Sequence, residues 1–156
     1  MIQRIQTLFL AVVVLLAAAM FFLPLAGFIS EMEYLRMYLW QIRSETPGSQ
    51  LSFGFLTVFP LVLLAAGIIV VTLVTIFSYK NRIRQLKLIR LIMFLAMLLI
   101  VAVFVLYPNL IMSRLDAEVE FESGAFMPVI SLLFLFLANR YITRDEKLVR
   151  SVDRLR

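Results

Sequence analysis

The chain has 156 residues, of which 63% are hydrophobic and only 16% charged, with a net charge of +5. Soluble domains average roughly 45–50% apolar and about 25% charged residues, so a water-soluble globule with no place to hide this apolar surface is excluded. Histidine and cysteine are both absent, which removes His-ligated haem, His metal sites, His general bases, thiol redox chemistry and disulfide-stapled loops.

The charges fall in five blocks separated by four charge-free stretches. A hydrocarbon core of about 30 Å needs about 20 helical residues, and these stretches are read against that length. The first runs from Ile5 to about Ile29. It is longer than the roughly 7–15-residue apolar region of a cleaved signal peptide and is expected to remain as a span that Pro24 terminates. The connection that follows is ambiguous. Met32, Leu35, Leu39 and Ile42 fit a helical stripe, whereas Glu31 to Tyr34 alternates and Tyr34, Tyr38 and Trp40 suit strands or a membrane interface.

The second stretch, Leu51 to Tyr79, contains Pro60 as a possible kink. Its hydroxyls Thr72, Thr75 and Ser78 are expected to bond back to their own helix, and its Ala65-Ala66-Gly67 patch, like Ala17 to Ala19, to let helices approach closely. A basic connection comes next, with Lys80, Arg82, Arg84, Lys87 and Arg90. Tied to the membrane at both ends, it is expected to contact anionic head groups or a protein partner rather than nucleic acid.

The third stretch runs from Leu91 to Met112, its span opening near residue 89 and ending at Pro108 or shortly after. Residues Leu115 to Glu122 then alternate strictly between apolar and acidic. That period predicts a strand with Leu115, Ala117, Val119 and Phe121 on a packed face and four carboxylates on the other. A lone strand is unstable, and the first connection is the segment expected to pair with it. Same-face neighbours are nearly 7 Å apart, so the acids read as a solvated face rather than a cation site.

The fourth stretch, Gly124 to Asn139, becomes long enough to span if it extends to Ile142 with Arg140 reaching the head groups, and Pro128 falls near its start. In the tail, residues 143–156, Thr143-Arg144-Asp145-Glu146 has the form of a capping box. With Leu148, Val152 and Leu155 on one side and Arg150, Arg154 and Arg156 near phosphates, it predicts a separate short amphipathic helix.

Orientation follows from the basic residues. Twelve of the 15 lie at the N-terminus, in the second connection or after the fourth stretch, leaving a net +9 there against −4 in the other two connections. By the positive-inside rule both ends are cytoplasmic. The expected fold is therefore an all-α membrane protein. It is a single domain in the form of a four-helix transmembrane bundle (spans 5–29, 51–79, 89–112 and 124–142), N-in and C-in, with a small external cap. Both even spans exit into similar basic segments, which hints at two hairpins related by an axis along the membrane normal.

An intramembrane ionisable group, the usual mark of a transport or catalytic site, is absent from all four stretches. Met1-Ile2-Gln3-Arg4-Ile5-Gln6-Thr7, Tyr79-Lys80-Asn81-Arg82, Leu137-Ala138-Asn139-Arg140 and Asp145 to Ser151 with Asp153 to Arg156 resemble an uncharacterised family of small four-span membrane proteins from Bacteroidota. The resemblance implies a bacterial inner-membrane location and brings no catalytic residues. The expected role is a non-enzymatic, cofactor-free subunit binding anionic inner-leaflet lipid, a membrane-protein partner or a second copy, with a small transporter or channel as the alternative. The expected contacts are Lys80, Arg82, Arg84, Lys87, Arg90, Arg150, Arg154 and Arg156.

Overall fold

A computed structural model describes residues 3–31, 33–47, 53–79 and 81–153. Helix α1 covers Gln3–Ala19, α2 Phe55–Phe77 and α3 Arg82–Val101. A π-helical turn, Ala102–Leu106, carries the path on into α4 (Tyr107–Leu115), and α5 covers Ser123–Asp153. Helices α1 and α3 each pack against both α2 and α5. Three helical paths among the described residues are long and apolar enough to cross a membrane: Phe55–Phe77, Arg82–Ser113 and Ser123–Glu146.

The interior is drawn from residues three or four apart on each helix, the spacing that puts them on one face. It takes Leu10, Val13 and Ala17 from α1, Val58, Leu61, Ala65 and Ile68 from α2, Ile89, Ile92, Ala96 and Leu99 from α3, and Leu135, Ala138 and Ile142 from α5. Alanine recurs on every helix at these buried positions, where small residues let backbones approach. The outward faces are equally apolar, with Leu56, Phe77, Phe94 and Leu133 more than half exposed. A helix set apolar inside and out is made for a hydrocarbon solvent.

One end carries a four-stranded antiparallel sheet of order β3-β2-β1-β4, with β1 Ala26–Ile29, β2 Tyr34–Met37, β3 Ile42–Ser44 and β4 Glu118–Phe121. The alternation in β4 works as the sequence predicts: Ala117 is buried and Val119 and Phe121 pack on the core, while Asp116, Glu118 and Glu120 face out. Among the described residues the first connection forms strands β2 and β3 and no helix.

Several expectations are corrected. The first span stops at Ala19, and Ala26–Ile29, expected inside it, is the central strand that pairs with β4 at Phe28↔Val119 and Gly27↔Glu120. A charge-free run reports that residues are buried, and a short buried strand and a buried helix share that signature. Pro108 does not end the third helix. It sits at the start of α4, just past the π turn. There the hydrogen-bond pattern has already shifted to i−5, as in the bond from the Tyr107 amide to the Ala102 carbonyl, and a residue without an amide is accommodated. Thr143 does not cap a separate helix either. Helix α5 runs through it unbroken, and its hydroxyl donates to the Asn139 carbonyl at 2.8 Å, the mid-helix habit of threonine. Leu155 lies outside the described residues. Pro60 and Pro128 stay inside α2 and α5. The two expected hairpins also differ, since among the described residues three strands lie between α1 and α2 and one between α4 and α5.

Candidate functional site: a side groove between two polar ends

The π turn shapes a concavity between α2 and the α3–α4 path. On α2, Leu56, Thr57, Pro60, Leu61 and Leu64 share a face, and Leu98, Ala102, Leu106, Tyr107 and Leu110 share the facing side of the α3–α4 path. Between them lies a groove of about 720 Å³, within the roughly 300–1,000 Å³ range of small-molecule sites. Buried Leu61 and Ala102 form its floor, while Leu56, 83% exposed, and Leu106, 59% exposed, form its rim. The groove therefore opens sideways, toward whatever surrounds the helices. Its polar groups are few and are spent internally: the Tyr107 hydroxyl donates to the Thr57 carbonyl, in the turn where Pro60 contributes no amide. The two features that widen a helix path, a π turn and a proline, thus face each other across the groove.

The helix end opposite the sheet holds the basic residues expected to make contacts. Arg84, Lys87 and Arg90 are exposed on α3, one to two turns below the exposed apolar residues Leu91 and Phe94. Arg82 is used differently. Its guanidinium meets the Asp145 carboxylate at 3.2 Å and donates to the Asp145 carbonyl at 3.2 Å, which ties the start of α3 to the C-terminal part of α5. Arg150 lies on α5, whereas Lys80, Arg154 and Arg156 lie outside the described residues.

Asn81 caps α3 by accepting from the Arg84 amide at 3.1 Å, a role its residue type before a long helix makes readable. Gln85 and Gln6 do not titrate, so neither carries a charge that marks it in the sequence. Gln85 is buried and its amide donates to the Thr75 carbonyl at 3.0 Å. Gln6 is 6% exposed and its side-chain nitrogen has no partner among the described residues. The hydroxyls of Thr72, Thr75 and Ser78 donate to carbonyls four residues back, at 2.6, 2.7 and 2.7 Å, as expected of helix-bound hydroxyls.

At the sheet end, Arg36 on β2 gathers Glu45 and Glu122, each at 2.9 Å, and the Tyr34 hydroxyl at 3.2 Å, and its guanidinium lies 5.5 Å from the Tyr34 ring centre. The bond with Tyr34, assisted by the charge of Glu122, holds the guanidinium protonated beyond its usual range. One residue thereby fastens β2 to the segment entering α5. Of the acidic row, Glu122 is consumed in this clamp and Glu118 and Glu120 remain exposed.

The family profile covers residues 2–155. The chain belongs to DUF4293, a family described as a domain of unknown function. No curated protein and no solved structure matches this DUF4293 chain.

Proposed function

We propose that the chain is a non-enzymatic, four-span protein of the inner membrane of Bacteroidota. Both termini are cytoplasmic, and it works as a lipid-binding accessory subunit. The observation that carries this reading is the side groove between α2 and the α3–α4 path, apolar throughout its rim and open laterally between helices of membrane length. A groove of that chemistry suits an acyl or isoprenoid chain. Arg84, Lys87 and Arg90, exposed below the apolar face of α3, supply the matching contact for anionic head groups at the other leaflet, worth about 1 kcal/mol each.

The test is reconstitution with lipids carrying a photoactivatable group in the chain, followed by mapping of the cross-links. The reading expects cross-links concentrated on Leu56–Leu64 and Leu98–Leu110, reduced when Ala102→Leu fills the floor. Labelling no denser there than around Leu133 and Phe136 on the exposed face of α5 would remove the groove as a site.

A second reading, a small transporter or channel, is favoured by one observation, the unpartnered amide of Gln6 in the helix interior near the end opposite the sheet. Flux of small polar solutes into proteoliposomes, lost in Gln6→Leu, would support it over the first.

A further inference from the structure

The lipid contact at the sheet end begins with a shortage of helix. Seventeen residues give α1 a length of about 25 Å, below the roughly 30 Å of a bilayer core. The charge-free sequence nevertheless continues to Ser30, so apolar depth on the α1 side is filled by something other than helix.

What fills it is visible in the chain after Ala19. Residues Met20–Leu23 form a turn whose amides bond back to α1, from Phe21 to the Ala18 carbonyl at 3.1 Å and from Phe22 and Leu23 to Ala19 at 3.0 and 3.1 Å. The tip of the β2–β3 hairpin closes with the Tyr38 amide on the Gln41 carbonyl at 2.8 Å. Trp40 then joins the two segments, its indole nitrogen donating to the Phe21 carbonyl at 3.2 Å. Beside that bond Phe22 is 82% and Trp40 47% exposed. Neither Met20–Leu23 nor Tyr38–Ile42 contains a charge.

The sheet is also polar along its strands. The end near α1 carries Phe21, Phe22 and Trp40, and the far end, at the β1–β2 turn and the start of β4, carries Glu31, Glu33 and Glu118. We infer that the hairpin tip and the post-α1 turn, presenting Trp40 and Phe22, are sunk into the outer leaflet and complete the span that α1 leaves short. The inference rests on the membrane reading proposed above. Non-helical backbone is tolerated at membrane depth only where its polar groups are satisfied by protein, and the bonds just described satisfy the Phe21, Phe22, Leu23 and Tyr38 amides and the Phe21 and Gln41 carbonyls. An indole whose donor is already used internally, set beside bare aromatic surface, matches the residues that anchor at the interface.

Trp40 is the single tryptophan, so its fluorescence reports this site without labelling. In vesicles of phosphatidylcholine and phosphatidylglycerol, its emission is expected to be blue-shifted, protected from aqueous acrylamide, and quenched more by lipids brominated near the glycerol than by lipids brominated at mid-chain. A second variant fixes the frame: in a Trp40→Phe background, Phe94→Trp puts the indole on the exposed mid-face of α3, where the deep bromolipid should quench best. Acrylamide-open Trp40 with a bromolipid-quenched Phe94→Trp indole would overturn the tip inference and leave the membrane reading standing. An indole at position 94 untouched by either bromolipid would overturn both.

Discussion

Gly124 stands where the chain enters α5 against the turn that leaves α1, its amide donating to the Pro24 carbonyl at 3.0 Å. A side-chain carbon added there would fall 2.5 Å from that same carbonyl oxygen, a contact backbone must move to relieve. Gly124→Ala is therefore expected to lower the melting temperature in detergent, equivalent to about 1–3 kcal/mol. Gln6 works in the opposite direction. Leaving its amide unpartnered in the interior costs the desolvation of that group, so Gln6→Leu should raise stability by about 1 kcal/mol in the same thermal assay. A water or solute on Gln6 would show itself by making that substitution destabilising. Neither residue stands out in the sequence. A glycine near a proline and a glutamine near an N-terminus are ordinary neighbours, and only the packing of distant segments gives them their roles. Arg36 is similar: the sequence places it among acids, but choosing Glu45 and Glu122 as its partners required the register of β2.

At the level of elements, what was legible is whatever periodicity or charge marks. The alternation of residues 115–122 is a local pattern and gave the strand, observed over Glu118–Phe121, and its faces, although Leu115 ends α4 instead of joining it. Val119→Asp, which forces a carboxylate onto the packed face, is expected to destabilise by about 2 kcal/mol or more, while Glu120→Ser on the exposed face should change little. Equal melting shifts for the two would contradict that assignment. The strand β1 was illegible because its own residues, Ala26-Gly27-Phe28-Ile29, are all uncharged and non-polar, so no alternation distinguishes it from the helix before it. The π turn was illegible for a different reason: one extra residue per turn leaves no mark on a sequence that is apolar all round. Its consequence is testable. Deleting Val105, which is half exposed, removes the extra residue of the wide turn and should return the path to α-helical pitch with the residues beyond it nearly in phase. Tyr107 then keeps Thr57, but the groove wall loses its bulge, and cross-linking of lipid chains at Leu56–Leu64 should fall. Retained cross-linking in a folded deletion variant would separate the groove from the turn.

For the whole molecule, the distribution of charge carried most of the reading. Apolar stretches of membrane length and a basic bias on one side are properties of blocks, and blocks survive errors about where a helix ends. That is why a span misjudged by ten residues left the order of the helices intact. The groove was beyond reach from sequence, since Leu56 to Leu64 and Leu98 to Leu110 lie far apart on successive helical paths and look like any other apolar run. The groove, the aromatic tip and the basic face of α3 all acquire meaning only if the four helices cross a bilayer with the sheet outside, and α1, the shortest, is where that claim is most exposed. The absence of cysteine makes the decisive measurement clean: single variants Gln3→Cys, Arg84→Cys, Glu120→Cys and Ser151→Cys, probed in spheroplasts with a membrane-impermeant maleimide. The account predicts that only Glu120→Cys is labelled in intact spheroplasts and that the other three react only after permeabilisation. Labelling of Gln3→Cys from outside would mean that α1 does not cross, and would contradict the four-span architecture.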